Sequence, residues 1–97
     1  MIQLTLTQLG SLQIPADCAR TYFPEDSLVV LAKPPELWLL PIHRSQSGGL
    51  LLKQRNRVGD RSVVIWEYLF PDTVPGPLEA FWDAEHHALR VSLNQKG

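Results

Sequence analysis

The chain has 97 residues and a mass of 11.0 kDa, enough for one domain or for two very small ones. Apolar residues make up 44% and charged residues 20% of the sequence, and these values exclude an intrinsically disordered chain. The formal net charge of −1 excludes nucleic-acid binding that depends on total charge alone.

The first residues of the sequence do not resemble a signal peptide, and the sequence offers little cysteine chemistry. Its first ten residues, MIQLTLTQLG, lack the basic region and the cleavage site of a signal peptide. No apolar run approaches the roughly 20 residues that a membrane-spanning helix needs. The single cysteine, Cys18, can form neither an internal disulfide nor a multi-thiolate zinc site. We therefore expect a cytoplasmic protein that does not contact a membrane.

Residues 1–44 predict a strand–helix–hairpin unit. Apolar and polar residues alternate at the start of the chain, as they do in strands with one buried face. Pro15 fits the first turn of a helix, and Pro24 disfavours helical geometry at the residue before it. The predicted elements are strands at 2–6 and 12–14, a helix at 16–23, and strands at 27–32 and 37–42.

Residues 50–93 predict a unit of two hairpins, separated from the first unit by the flexible stretch 45–49. The tripeptide Val58-Gly59-Asp60 predicts a turn, and the segment 71–77 holds three prolines and a glycine, as a loop does. The predicted strands are 50–57, 62–70, 78–82 and 88–93.

These elements predict a mainly β fold with one short helix. Short strands separated by turns every ten or so residues favour a small open barrel or a sandwich of antiparallel strands. We expect the units 1–44 and 50–93 to pack together as one domain. Exposed sheet edges are often covered by a second copy of the chain, so we also expect a homodimer.

The segment Gly10-Ser11-Leu12-Gln13-Ile14-Pro15 resembles the strand that opens the swapped-hairpin domains of the AbrB, MazE and MraZ type. In that family, a glycine, a basic residue and alternating apolar residues end in Ile-Pro, and a short helix and a hairpin follow. Ser11 stands where the family usually has Arg or Lys. The resemblance covers about forty residues of the N-terminal half, and it implies an intertwined dimer and DNA binding.

The centre of the chain is basic and its flanks are acidic. Residues 43–61 hold five basic residues and one acidic residue. On a strand, Lys53, Arg55 and Arg57 would share one face along about 13 Å. Arg61 and Arg44 would add to this charge. Such a line of cations fits a solvated strand face, an acidic protein partner or cross-strand Glu67, or the phosphates of a nucleic acid.

Three tryptophans lie in apolar contexts, at positions 38, 66 and 82. Such residues serve either as core anchors or as the main binding residues of an interface. Trp38 and Trp66 are our candidates for an interface.

The remaining polar residues do not predict catalysis. Asp83, Glu85, His86 and His87 crowd one segment, but adjacent histidines on an extended chain point to opposite faces, so we expect a polar hairpin turn and no metal site. Cys18 is expected to be a small buried thiol. We predict no catalytic residue and no cofactor.

The leading hypothesis is a non-enzymatic accessory or assembly module that binds protein and acts as a homodimer. It rests on the near-neutral charge, the separated charge blocks and the tryptophans. The alternative is an AbrB-like DNA-binding transcriptional regulator that uses the basic segment 53–61. A small barrel that binds a low-molecular-weight ligand is a third hypothesis.

Overall fold

A computed structural model describes residues 1–43 and 48–94. The described part holds one α-helix, one short 3-10 helix at Trp66–Tyr68, and nine strands. In chain order the elements are β1 (Ile2–Leu6), β2 (Ser11–Ile14), α1 (Ala16–Tyr22), β3 (Ser27–Lys33), β4 (Glu36–Pro41), β5 (Leu50–Leu51), β6 (Lys53–Gln54), β7 (Arg61–Val64), β8 (Gly76–Asp83) and β9 (Ala88–Ser92).

All nine strands belong to one antiparallel sheet, in the order β5-β3-β4-β9-β8-β1-β2-β7-β6. Strands from 1–44 and from 50–93 alternate in this order, because β4 pairs with β9, β1 with β8 and β2 with β7. The two predicted units therefore share one sheet and one core. The structure confirms a mainly β fold with one short α-helix.

Period-two alternation places the core on one face of the sheet. In β1, Leu4 and Leu6 are buried and Gln3 and Thr5 are exposed. The same alternation continues in β2, β4 and β8, and together with β9 these strands supply most of the buried cluster, which includes Leu12, Ile14, Leu37, Leu39, Leu78, Leu89 and Val91. Burial of these side chains is the main favourable term in folding.

The segment 50–54 joins the two ends of the sheet and nearly closes it into a barrel. β5 pairs with β3 on one side, and β6 pairs with β7 on the other. Between them lies Leu52, whose side chain is buried and whose N–H donates to the Asp26 carbonyl at 2.8 Å. Closure removes most of the free edge that an open sheet would present to a second chain.

The helix α1 is fixed at both of its ends. Its first N–H, at Ala16, donates to the Asp60 carboxylate at 2.9 Å, so a residue far along the chain supplies the cap that Pro15 lacks. At the other end Phe23 is buried, and the Tyr22 ring stacks on Trp82 of β8 with 4.4 Å between ring centroids.

No helix in the described ranges has the length and apolar character needed to cross a membrane.

The prediction of one strand over 62–70 is wrong beyond Val64. Ile65 makes the last contact with the neighbouring strand, by donating its N–H to the Gly10 carbonyl at 2.9 Å. The partner strand β2 begins only at Ser11, after the turn at Gly10, so no ladder is available further along. The chain turns instead into the 3-10 helix at Trp66–Tyr68.

Candidate functional site

Four large apolar side chains are exposed at and beside the closure of the barrel. Their exposed fractions are 87% for Leu9, 61% for Leu51, 57% for Val64 and 60% for Trp66. Leu9 and Trp66 line one cleft, and Leu51 and Val64 line a second groove, with Val64 two residues before Trp66 in the chain. We call these four residues the apolar surface. Grouped apolar side chains of this size on a folded protein mark interaction sites, whereas single ones are ordinary.

Gly10 is the support on which Trp66 lies. A Cβ atom at Gly10 would fall 2.3 Å from the Trp66 Cβ and 3.0 Å from its Cα, and the φ angle of Gly10 is +84°. Only glycine combines this backbone conformation with so close an approach. The turn between β1 and β2 therefore sets the position of Trp66.

A loop of exposed cations borders the apolar surface. Lys53 lines the same groove as Leu51 and Val64. Lys53, Arg55 and Arg57 are all exposed, and none of them has an ion pair with a carboxylate of the described residues.

The prediction that these three cations share one strand face is wrong for Arg57, because β6 ends at Gln54 and only Arg55 continues its register, by donating its N–H to the Asp60 carbonyl at 2.7 Å. Asn56 bends the chain: its side-chain oxygen accepts the N–H groups of Gly59 and Asp60 at 3.1 and 3.2 Å. Its side-chain nitrogen donates to the Asp60 carboxylate at 3.0 Å. These bonds hold Arg57 in a turn, out of line with Lys53 and Arg55.

Arg61 does not join the exposed cations. Its Nε donates to Asp26 Oδ1 at 2.9 Å and its Nη1 donates to the Gly59 carbonyl at 2.6 Å, in a half-buried position. Arg44, the other predicted cation, lies outside the described residues. Asp60 shares this region, and its hydrogen bonds from Asn56 and from the Ala16 N–H lower the pKa of its carboxyl group. The basic character of the loop thus comes from Lys53, Arg55 and Arg57.

Trp38 differs from Trp66 because its ring is covered by side chains of its own chain. The Arg90 guanidinium lies 4.9 Å from the Trp38 ring centroid and 4.8 Å from that of Phe81. The Lys33 ammonium lies 5.3 Å from the Trp38 centroid, and the indole N–H donates to Glu36 Oε1 at 3.1 Å. Of the two tryptophans predicted at an interface, the exposed one is Trp66.

Arg90 links the acidic residues of this outer face. It donates from Nε and Nη2 to Glu36 Oε1 at 3.0 and 2.9 Å, and from Nη1 to Asp83 Oδ2 at 3.3 Å. The bond to Glu36 is the first cause of a raised pKa at Arg90. Each charged group of this cluster is paired within the chain, so the cluster stabilises the β4–β9–β8 wall.

The turn after β8 brings possible metal ligands together. One ligand atom each from Asp83, Glu85 and His86 lies within 4.8 Å of the others. The sequence predicted a polar turn here, and His86 and His87 do diverge, since His86 contacts Trp38 and His87 contacts Trp82. Because Asp83 also accepts from Arg90, a metal ion at this turn would have to lie beside a fixed positive charge.

We expect a pH-dependent contribution to stability from Asp83. The hydrogen bond with His86 is the first cause that lowers the pKa of the Asp83 carboxyl below 3.8. A lowered pKa favours the ionised native form, so its contribution is present above pH 3.8 and is lost as the pH falls through the lowered value. In urea unfolding, the stability difference between the wild type and Asp83→Asn should therefore shrink in acid.

Asp72→Asn, at an exposed loop position, is the control for Asp83→Asn. A difference between wild type and Asp83→Asn that stays constant from neutral to acid pH would contradict the assignment.

The cleft beside Trp82 and the thiol of Cys18 are two further features that could have a chemical role. A cleft of about 500 Å³ is lined by Tyr22, Trp82, His87, Ile42 and other residues. Cys18 is buried, and burial raises the pKa of its thiol to about 11, so the reactive thiolate is scarce at neutral pH. The thiol therefore fits a packing role.

No protein-family model matches the chain, and neither a curated protein nor a solved structure is detectably similar to it. The resemblance of residues 10–15 to the swapped-hairpin domains stays a prediction. The order on which it rests, a strand, a short helix and a hairpin, is present as β2, α1, β3 and β4.

Three members of the apolar surface were not predicted from the sequence. Leu51 stands in a run of three leucines, and alternation alone indicates that the middle one faces away from its neighbours. Leu9 is an apolar residue inside a turn, next to Gly10, and this placement is also a signal of exposure. Val64 gives no such signal, because the sequence VVIW at 63–66 is equally typical of a buried strand.

Proposed function

We propose that this protein is a non-enzymatic, cytoplasmic accessory module that binds another protein through the apolar surface. The observation that carries the proposal is the exposure of Trp66, which lies against Gly10 and lines one cleft with Leu9. Tryptophan is the residue type most enriched among the main binding residues of protein interfaces. These four side chains do not belong to the buried core, so polar residues at the same positions would serve folding equally well.

The positive charge of the loop 53–57 favours an acidic protein as the partner. Lys53 lines the groove of Leu51 and Val64, and Arg55 and Arg57 follow it on the same exposed segment, so the apolar surface has a basic rim at this end. A polar, charged rim around an apolar centre is the common anatomy of a protein interface. The rim would accelerate association with an acidic partner and would make the rate depend on salt.

The proposal is tested by photo-crosslinking in cells that make the protein. A photoreactive phenylalanine analogue replaces Trp66 in one variant and Gln3, an exposed residue of β1, in the other. We expect one discrete partner to be crosslinked from position 66 and not from position 3. Equal crosslinking from both positions, or from neither, would contradict the proposal.

Trp66→Ala then measures the size of the effect. Removal of a main binding residue typically costs 2 kcal/mol or more, so the affinity for the purified crosslinked partner should fall by about thirtyfold. Trp38→Ala is the control for folding, because Trp38 supports the Arg90 cluster. This variant should lower the free energy of unfolding and leave the affinity for the partner nearly unchanged. Sedimentation of the free protein shows whether the partner is a second copy, as the predicted homodimer requires.

The alternative is an AbrB-like DNA-binding regulator, and the exposed cations of the loop 53–57 are the observation that favours it. Anisotropy titration of a labelled DNA duplex at low and near-physiological salt separates the two functions. Salt-sensitive binding that is lost when Lys53, Arg55 and Arg57 are all replaced by alanine would put nucleic acid in place of a protein partner.

A further inference from the structure

One end of the barrel holds a cleft that is separate from the apolar surface. Leu39 of β4 and Trp82 of β8 both lie opposite Leu89 of β9, so β4 and β8 end on the two sides of the start of β9. β3 begins at the same end, because its Leu28 lies opposite Pro41. The cleft of about 500 Å³ that Trp82 lines opens here, and we call it the mouth cleft.

The floor of the mouth cleft continues the buried face of the sheet. Leu78 and Ala80 of β8 are buried, and Trp82 follows them on the same face of the strand. Pro41 continues the buried face of β4 in the same way. Both Trp82 and Pro41 are half-buried, so the cleft lies directly above the end of the core. The mouths of β-barrels are among the usual positions of small-molecule sites.

Aromatic rings form one wall of the mouth cleft. Tyr22, the last residue of α1, stacks on Trp82 with 18° between the ring planes. His87 contacts Trp82 edge-on from the turn after β8, with 5.1 Å between the ring centroids. The backbone of His87 has a φ of +51°, a conformation that glycine would adopt without cost, yet this residue contributes a ring to the cleft. The wall suits a flat apolar group.

A carboxylate gives the mouth cleft its charge. Among the described residues that line it, Glu25 is acidic and none is Lys or Arg. Glu25 Oε2 contacts His43 Nδ1, and both side chains lie at the cleft. An ionised carboxylate has about four lone-pair sites, so a bond with one imidazole leaves it able to accept from an ammonium group as well. Bonds between an ammonium and a carboxylate are roughly twice as strong as neutral ones.

We propose that the mouth cleft binds a low-molecular-weight amine with a flat apolar body. The apolar body lies against the rings of Tyr22, Trp82 and His87, and the ammonium group donates to Glu25. The residues that line the mouth cleft do not include any of the apolar surface. The site is therefore additional to the proposed protein interface and does not depend on it.

The test uses the full-length protein and four small probes at about pH 7.5, where unperturbed imidazole groups are mostly uncharged. Phenylethylamine, phenylethanol and phenylpropionate carry the same ring with a cationic, a neutral and an anionic end. N-acetyl-lysinamide offers an ammonium group without a ring, as a basic residue of a partner protein would. Two-dimensional NMR follows the indole N–H signals of the three tryptophans, and Trp82→Phe identifies the signal of Trp82.

We expect phenylethylamine to shift the Trp82 signal with a dissociation constant of about 1 mM or lower. Phenylethanol and phenylpropionate should bind about tenfold more weakly, because they lose the bond to the carboxylate. Glu25→Gln should remove the preference for the amine over the alcohol, and Glu25→Lys should make the acid the preferred probe. A loss of stability would weaken all three probes alike and would leave their order unchanged.

Glu85→Lys is the matched control for Glu25→Lys. Glu85 is exposed in the turn after β8 and does not line the mouth cleft, so this variant should keep the order of the wild type.

His87→Asn tests the aromatic wall. Asparagine tolerates the left-handed backbone as histidine does, so the midpoint of thermal unfolding should stay close to that of the wild type. The affinity for phenylethylamine should fall by about threefold, because one ring of the wall is lost.

Four results would overturn the inference: no shift of the Trp82 signal with phenylethylamine, equal binding of the amine and the alcohol, an unchanged affinity in His87→Asn, or tighter binding of N-acetyl-lysinamide than of phenylethylamine. The last result would assign the mouth cleft to a side chain of a protein. None of the four decides the proposed function, because the crosslink from position 66 tests the apolar surface independently.

Discussion

Replacement of Gly10 by alanine is expected to lower the free energy of unfolding by about 2–5 kcal/mol. The left-handed backbone at φ +84° costs an alanine about 1–2 kcal/mol. The new Cβ would also overlap Trp66, and such overpacking costs about 1–3 kcal/mol. For a domain of this size, the midpoint of thermal unfolding should fall by roughly 10 °C or more.

Gly48→Ala is the matched control for Gly10→Ala. Gly48 has nearly the same φ, +88°, but no atom of the described residues lies within 4 Å of its added Cβ. The two variants therefore share the backbone cost, and the difference between them measures the overlap with Trp66. Equal losses of stability in the two variants would show that Trp66 does not lie on Gly10 as described.

Gly10→Ala also connects stability with binding. Trp66 has to move to accommodate the new methyl group. The affinity for the crosslinked partner should therefore fall more in Gly10→Ala than in Gly48→Ala. This comparison is made at a temperature where both variants are folded.

Leu52→Ala is expected to destabilise the protein by about 2–5 kcal/mol, the usual loss when a buried leucine is truncated. Leu52 is only 6% exposed, and it lies where the closing segment passes from β3 to β7. A cavity at this point weakens the core and the closure of the barrel together. Urea unfolding followed by tryptophan fluorescence measures the change.

The neighbouring residue provides the control. Leu51→Ala removes the same atoms from a side chain that is 61% exposed, and its stability should stay within about 0.5 kcal/mol of the wild type. Leu51→Ala should weaken partner binding, whereas Leu52→Ala should act on folding. A reversed order of stabilities would mean that the closing segment has the opposite face towards the core.

Leu51 and Leu52 together show how one short segment contributes to both the fold and the candidate site. Alternation along the strand sends Leu52 into the core and Leu51 to solvent, and the change of pairing partner at Leu52 produces the groove beside Leu51. Closure of the barrel and the exposed groove are thus two results of the same bend.

Much of the fold was predictable from local patterns. The alternation of Leu4 and Leu6 with polar residues identified both a strand and its buried face, and the two prolines at positions 15 and 24 bracketed α1. Such signals depend on residues close together in the chain, because the period of a strand and the φ restriction of proline are local properties. The strand class and the single α-helix follow from them.

The candidate site depended on contacts between distant residues. Trp66 is exposed because β2 begins only at Ser11, which ends the ladder after Ile65. Arg57 leaves the line of the strand because Asn56 and Asp60 bend the loop, and Asp60 is in turn bonded to the Ala16 N–H of α1. Neither the length of a partner strand nor a hydrogen bond across 44 positions is encoded in the local pattern.

The sequence by itself thus determined that the fold is mainly β, where the helix lies and where positive charge is concentrated. Only the tertiary structure decided that the segment 50–54 closes the sheet, that Arg61 is paired with Asp26, and that Leu51 and Val64 line one exposed groove. The physical reason is that periodicity specifies one face of each strand, whereas the pairing of strands depends on where their partners begin and end.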